Sequence, residues 1–266
     1  MGVRLGSSFM WKAVGKSVAG TSHSKGEVPC QDFCDYWHCQ LGDEHALIIG
    51  IADGAGSAAL AHVGSRETVG CLMQQAASCG HQLEKITAQV VRGWIEKTLE
   101  YLAEVAAREN TEQSQLACTV LLAILGENQA VFAQIGDGGW VVDYQGNFEA
   151  VTWPFNGDFV NQTKFITSPD ALDFLQFARR DGPLSAAAGF TDGMQSLALK
   201  FADKSVHGPF FEAMFAALRE SDDSTSLLAP LIAFLSSERV NERTDDDKTL
   251  VLAHRCPDGR TGHVVD

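Results

Sequence analysis

Five short acidic segments are spread along the chain: Gln31-Asp32, Asp53-Gly54, Gly136-Asp137-Gly138, Thr191-Asp192-Gly193 and Asp245-Asp246-Asp247. Four of them adjoin apolar, strand-like runs, at residues 47–52, 131–135, 186–190 and 249–253. Carboxylates at strand ends can converge on one pole of a sheet, and clustered hard oxygens with water completing the shell suit Mg²⁺ or Mn²⁺. Any one Asp-Gly pair is by itself an ordinary turn, because Asp hydrogen-bonds its own backbone and Gly takes up positive φ. Its repetition beside successive strands is what points to a metal site.

The same segments carry a family resemblance. In chain order they are Gly20-Thr21-Ser22-His23 with Pro29-Cys30-Gln31-Asp32, then Ile51-Ala52-Asp53-Gly54-Ala55-Gly56, then Ile135-Gly136-Asp137-Gly138. Phe190-Thr191-Asp192-Gly193-Met194 and Asp246-Asp247-Lys248-Thr249-Leu250-Val251-Leu252 follow. Together they resemble the successive motifs of the metal-dependent protein phosphatase 2C family in its bacterial form. Each motif alone is weak; five in the family's order, from residue 20 to 253, make a specific match.

The resemblance implies an α+β fold: a central antiparallel β-sandwich flanked by helices on both faces (α-β-β-α), with the metals at one end. It also implies hydrolysis of phosphoserine and phosphothreonine in proteins, dependent on two Mg²⁺ or Mn²⁺ ions and open to a third. Asp53 is then the carboxylate that bridges both metals, and the Gly54 carbonyl completes one of them. Asp192 and Asp246 hold the other, Asp137 matches a weaker third site, and Asp32 reaches metal through water. Asp53, Asp192 and Asp246 are thus the expected catalytic set. Asp247 stands where the family usually carries Asn, so Asp246 is the expected ligand of its triplet.

Three positions depart from the pattern. Gln31 replaces a common Glu and is a poorer ligand; Glu27 stands where many members carry a phosphate-gripping Arg; Ala55 stands where eukaryotic members carry a His that serves as a candidate general acid. His23 or Lys25 are the candidate substitutes for the phosphate grip, although a polar surface role is the more ordinary use of either residue. Leaving-group protonation would fall to water on the metal or to another histidine.

Phosphoester hydrolysis explains why so many carboxylates are needed. Two divalent cations about 4 Å apart can bind a bridging water, lower its pKa, aim the resulting hydroxide in line at phosphorus and neutralise the phosphoryl oxygens. Without metal the same cluster repels itself, so its carboxyl pKa values should be raised. Two rival readings are a pseudophosphatase, favoured if the departures abolish activity, and a metal-dependent phosphodiesterase. Retention of every core aspartate disfavours the first, since a pure scaffold gains nothing from a repelling cluster.

The net charge of −14 opposes nucleic-acid binding and so disfavours the second. In a chain of 266 residues, an apolar fraction of 45% allows a sizeable core, and we expect one domain over residues 1–266, with its core at 11–254. No run of about 18 apolar residues is present and residues 1–11 lack a signal peptide's apolar stretch, so a cytoplasmic protein is expected, with no membrane partner. A phosphorylated protein and a serine/threonine kinase pathway are the expected partners. The seven cysteines are spaced irregularly and read as thiols. Cys30, Cys34, His38 and Cys39 are soft ligands close in sequence, but their spacing fits no usual zinc knuckle, and a strand at 33–39 would send them to opposite faces.

Residues 11–41 read as strand, loop, strand, and residues 47–52 as a buried strand. Helical spacing follows at 58–77 and 83–107, then a hairpin of 119–125 and 130–135, with 140–144 continuing the sheet. Residues 150–183, punctuated by Pro and Gly, read as an irregular stretch and candidate flap, with Trp153, Phe155, Phe159 and Phe165 available for packing or for a peptide. Helices are expected at 210–219 and 227–235, the second capped near Ser224 to Ser226, and a polar tail at 255–266.

Overall fold

Strand side chains point alternately to two faces, and here both faces are apolar, so each sheet is covered on both sides. The computed structural model describes residues 10–26, 28–155 and 163–256. In its first half these form β1 (Met10–Val18), α1 (Thr21–Gly26), β2 (Phe33–Leu41), β3 (Glu44–Ala52), α2 (Ala61–Ala77), α3 (Ala88–Arg108), β4 (Val120–Leu125) and β5 (Gln129–Ile135). Next come β6 (Gly139–Tyr144), β7 (Asn147–Thr152), β8 (Gln176–Asp181), β9 (Ala186–Phe190), α4 (Gln195–Ala198), β10 (Leu199–Lys200) and β11 (Ser205–Val206). The chain continues through α5 (Gly208–Glu220), α6 (Leu228–Leu235), α7 (Glu238–Asn241) and β12 (Lys248–Cys256).

Two five-stranded antiparallel sheets, ordered β2-β3-β4-β5-β8 and β1-β12-β9-β6-β7, stack face to face. Leu47, Ile49 and Ile51 of β3 meet Trp140, Val142, Val251 and Ala253 of the other sheet between them. The alternate residues Ala46, Ile48 and Ala52 pack outward on Val69, Leu72 and Met73 of α2 and Trp94 and Ile95 of α3. On the far side Leu250 and Leu252 pack against Phe211 and Phe215 of α5 and Leu231 and Leu235 of α6. The α-β-β-α arrangement expected from the sequence is therefore the one observed. Each buried Ile or Leu contributes about 1.5–3 kcal/mol, so the three apolar layers hold the strand ends rigidly in place.

Several local expectations need correction. The loop between the first two strands contains α1. The helix read from residue 83 starts only at Ala88, because Thr87 is extended and caps it, its side chain accepting from Val90 N at 3.4 Å; Leu83–Lys85 is a separate 3₁₀ turn. The irregular stretch set at 150–183 is too wide: β7 runs through Thr152, and β8 is an edge strand on β5, with Gln129 opposite Asp181. An edge strand has one covered side, and its Arg179 and Arg180 hide it as loop.

The aromatics of this stretch also have partners. Trp153 meets Phe201 edge-on, Phe155 meets Phe174, and Phe165 packs against Ala55, Ala58 and Ala61. Phe159 and residues 257–266 lie outside the described residues, and β12 extends to Cys256, beyond the expected start of the tail. Asp223 rather than Ser224 to Ser226 caps the turn before α6, accepting from Thr225 N at 2.9 Å. Cys34 packs toward the inter-sheet layer and Cys39 toward α2 and α3, on opposite faces of β2 as the alternation predicts. Among the described residues no helix is long and apolar enough to cross a membrane.

Candidate metal centre

Strand register brings the acidic segments together. Phe33 pairs with Ala52, Ile51 with Leu121 and Val120 with Ile135, so Asp32, Asp53 and Asp137 all sit at the same end of one sheet. In the other sheet Val18 pairs with Lys248, Leu250 with Phe190 and Gly139 with Phe190, which places Gly20, Asp192 and Asp247 at that same end. The two sheets thus share one acidic pole.

Carboxylate oxygens of Asp53, Asp137 and Asp192 lie within 4.8 Å of one another. They line a cleft of about 330 Å³ with Asp245, Asp246, Gly54, Gln31, Ser22, His23, Thr163 and Phe165. Burial pushes the Asp53 carboxyl pKa well up, and Asp32, Asp192 and Asp137 push it further. Burial, then Asp137 and Asp246, raises Asp192 to about 7. Burial likewise raises Asp137, against the Thr163 hydroxyl that donates to its Oδ2 at 2.6 Å. Such a cluster costs stability until a cation neutralises it. Asp32 Oδ1, Asp137 Oδ1, Asp192 Oδ1 and Gln31 Oε1 are buried with no hydrogen-bond partner among the described residues. Orphaned hard oxygens, three of them on carboxylates, at one pole fit a divalent cation.

The remaining acidic residues differ in place. Asp32 is buried beneath the cleft; its Oδ2 accepts from Thr191 and Thr249 hydroxyls, both at 2.8 Å. Burial raises its pKa strongly, while these two hydroxyls oppose the rise. Asp246 lines the cleft exposed, its Oδ1 accepting from Asp247 N at 2.8 Å, outside the tight trio. Asp247 is 2% exposed and wholly engaged: its oxygens accept from Gly20 N at 2.7 Å and Gln31 N at 2.5 Å, and meet His23 Nδ1 at 2.9 Å. Lys248, next in the chain, is buried too: burial lowers its pKa, against the pull of Asp247 and Asp246, and its Nζ donates to Asn241 Oδ1 at 2.8 Å. Glycine is required where the backbones meet. A Cβ on Gly20 would collide with Asp245 and Asp246 backbone, and one on Gly54 would lie 2.7 Å from the Gln31 carbonyl oxygen.

The family profile for Protein phosphatase 2C matches residues 19–235, most of the chain. Serine/threonine-protein phosphatase 3 of Escherichia coli (strain K12) is 38% identical over 250 residues, covering 91% of this chain and 98% of that protein. The chain belongs to the protein phosphatase 2C family. Solved structures agree on the fold. A bacterial serine phosphatase superposes with a TM-score of 0.65 at 16% identity, over 96% of this chain and 100% of that one. The catalytic domain of the serine threonine protein phosphatase PstP, in complex with two manganese ions, superposes with a TM-score of 0.61 at 13% identity, over 93% and 99%.

Among the phosphatase 2C motif residues, Ser22 and His23 of α1 reach the cleft rim, whereas Lys25 lies on α1 with its side chain outside the described residues, as is Glu27. Sequence reasoning missed Thr163, Thr191 and Thr249. The last two sit inside quoted motifs, next to Asp192 and after Asp247, and their hydroxyl type was the signal. Thr163 had none, because it is 26 residues from the Asp137 that it holds.

Proposed function

We propose that this cleft hydrolyses phosphate monoesters on serine and threonine side chains of proteins, with Mg²⁺ or Mn²⁺ held by Asp53, Asp137, Asp192 and Asp246, the Gly54 carbonyl and, from beneath, Asp32. The observation that carries the reading is the convergence of Asp53, Asp137 and Asp192 within 4.8 Å at one pole of the sandwich. Two such cations, when bound, acidify water and neutralise phosphoryl oxygens. The manganese pair in the PstP catalytic domain supports the same occupancy here.

The chain's own residues do the positioning. Asp53 and Asp192 end rigid inner strands, so their carboxylates keep their places while substrate and product exchange. Thr163 fixes Asp137, and Thr191 and Thr249 fix Asp32, which leaves the opposite oxygen of each carboxylate directed elsewhere. Asp137, nearest the segment that carries Thr163 and Phe165, supports the weaker third site. The cleft is acidic and lined by four aspartates besides Asp245, suited to metal ions that receive a phosphorylated side chain. A cytoplasmic phosphoprotein, modified by a serine/threonine kinase that this enzyme opposes, is the proposed substrate.

The test compares an aryl phosphate, a phosphothreonine peptide and a phosphodiester with Mn²⁺, with Mg²⁺ and in excess EDTA. Metal-dependent turnover of the first two alone is expected. Turnover in EDTA, or a preference for the diester, would sink the proposal, and binding of the phosphopeptide without turnover would make the chain a pseudophosphatase.

A further inference from the structure

The Asp247 carboxylate is closed to metal by its own contacts, yet it remains one of the most buried acids of the chain. Its two oxygens take backbone N–H groups from Gly20 and Gln31, and its third partner is the His23 ring. With backbone donors already directed at a carboxylate 3% exposed, the proton between His23 and Asp247 sits on Nδ1 and is donated to Oδ1. The ring is thereby held in one orientation with Nε2 as its reactive nitrogen, and Nε2 has no hydrogen-bond partner among the described residues. His23 lines the cleft beside Asp53 and Asp246, and it is the one imidazole or amine among the described cleft-lining residues. A buried carboxylate behind an imidazole fixes its tautomer and its orientation.

We propose that His23, oriented by Asp247, is the general acid that protonates the departing serine or threonine oxygen. This rests on the phosphatase reading. In the step, the bond from phosphorus to the side-chain oxygen breaks, that oxygen keeps the bonding pair, and it takes the proton from His23 Nε2. Water supplies the oxygen of the new bond to phosphorus and releases a proton that restores His23. The balance is phosphomonoester plus water to inorganic phosphate plus free hydroxyl. A phosphate-gripping role, the alternative for His23, would act on every substrate alike; a general acid matters in proportion to the basicity of the leaving oxygen.

Manganese-loaded wild type, His23→Ala and His23→Asn are compared on 2,4-dinitrophenyl, 4-nitrophenyl and phenyl phosphate and on a phosphothreonine peptide. Both variants should lose kcat/KM on a rising scale, least for the dinitrophenyl ester and about 10²- to 10⁴-fold for the peptide. Asn can donate to Asp247 but cannot transfer a proton. Melting temperature and Mn²⁺ affinity by calorimetry should match wild type. Equal losses on all four substrates, no loss on the peptide, or full rescue by Asn would overturn the proposal while leaving the phosphatase reading intact. A wild type inactive on every ester would overturn both. A large fall in melting temperature or Mn²⁺ affinity in both variants would assign His23 to structure instead.

Discussion

The two poles of the sandwich are made by the same strands and solve opposite problems. At the acidic pole β3, β5 and β9 end in Asp53, Asp137 and Asp192, partly buried and pressed together against their own repulsion. At the other pole the strands close in tight hairpins such as Tyr144-Gln145-Gly146-Asn147, where Gln145 and Gly146 both take positive φ and Asp143 accepts from Gly146 N at 2.9 Å. That end also carries a cavity of about 750 Å³ in which Arg219 and Arg255 are interspersed with Glu127 and Asp143, so opposite charges offset one another. One pole gives up stability for chemistry; the other serves the fold. Substitutions at the acidic pole should therefore change activity greatly and metal-free stability in the favourable direction. Substitutions at the hairpin pole should change stability, in either direction, and leave activity unchanged.

The largest effect is expected from Asp53→Asn or Asp192→Asn. Either keeps shape while removing charge from the cluster, and kcat/KM on an aryl phosphate should fall on the order of a thousandfold or more. A variant that keeps wild-type turnover would break the contrast at its root. Thr163→Ala comes next. It removes the hydroxyl that aligns Asp137, and loss of such a supporting hydrogen bond should weaken Mn²⁺ affinity about 10- to 100-fold at the site proposed for Asp137, read by titration calorimetry.

How far the sequence disclosed each pole follows from the kind of signal available. The acidic pole was legible because its aspartates adjoin short apolar runs, and the register that unites them is forced by antiparallel pairing of those runs. The helix-flanked sandwich was legible through the family resemblance that those segments carry. What escaped was held by contacts distant in sequence. Asp247 joins Gly20 and His23 across more than 220 residues, and Thr163 reaches Asp137 from a stretch that reads as loop. β8 escaped because its residues are half-exposed and its pairing to β5 follows an intervening irregular segment. The break before α3 turned on one residue, Thr87, whose capping role competes with apolar spacing that alone would continue the helix back to Leu83.

Metal-free protein should show the acidic pole's cost directly. Asp192, raised to about 7, binds its proton more tightly folded than unfolded, so the folded state holds more protons between the unfolded value near 3.9 and about 7. Stability is then greatest at the acidic end of that window and falls as pH rises through about 7. Asp53 and Asp32, raised in the same sense by burial, add to the slope. In EDTA the melting temperature should drop between about pH 5 and pH 8, and Asp53→Asn should gain a few degrees at the upper value by removing one charge from the cluster. Added Mn²⁺ should reverse the ranking, stabilising wild type more than the variant. An Asp53→Asn melting point equal to wild type in EDTA at the upper pH would mean that the carboxylates do not strain the fold.

The smallest effect belongs to the hairpin pole and sharpens the comparison from the other side. Gln145 holds φ 54° and Gly146 φ 82°, the pattern of a two-residue turn that favours Asn-Gly. Gln at the first position pays for a left-handed backbone with no local side-chain compensation, whereas Asn adopts it readily. Gln145→Asn should therefore raise stability by about 0.5 kcal/mol, and Gly146→Ala, which meets open space but must still hold positive φ, should lower it by about 1 kcal/mol. Neither should alter Mn²⁺ affinity or kcat/KM, because the inner layer of Ile49, Ile51, Trp140 and Val251 separates this turn from the cleft. Denaturant midpoints and aryl phosphate kinetics on the same two variants check the point. A change in kcat/KM without a change in midpoint would show that the poles are coupled through the sandwich rather than insulated by it.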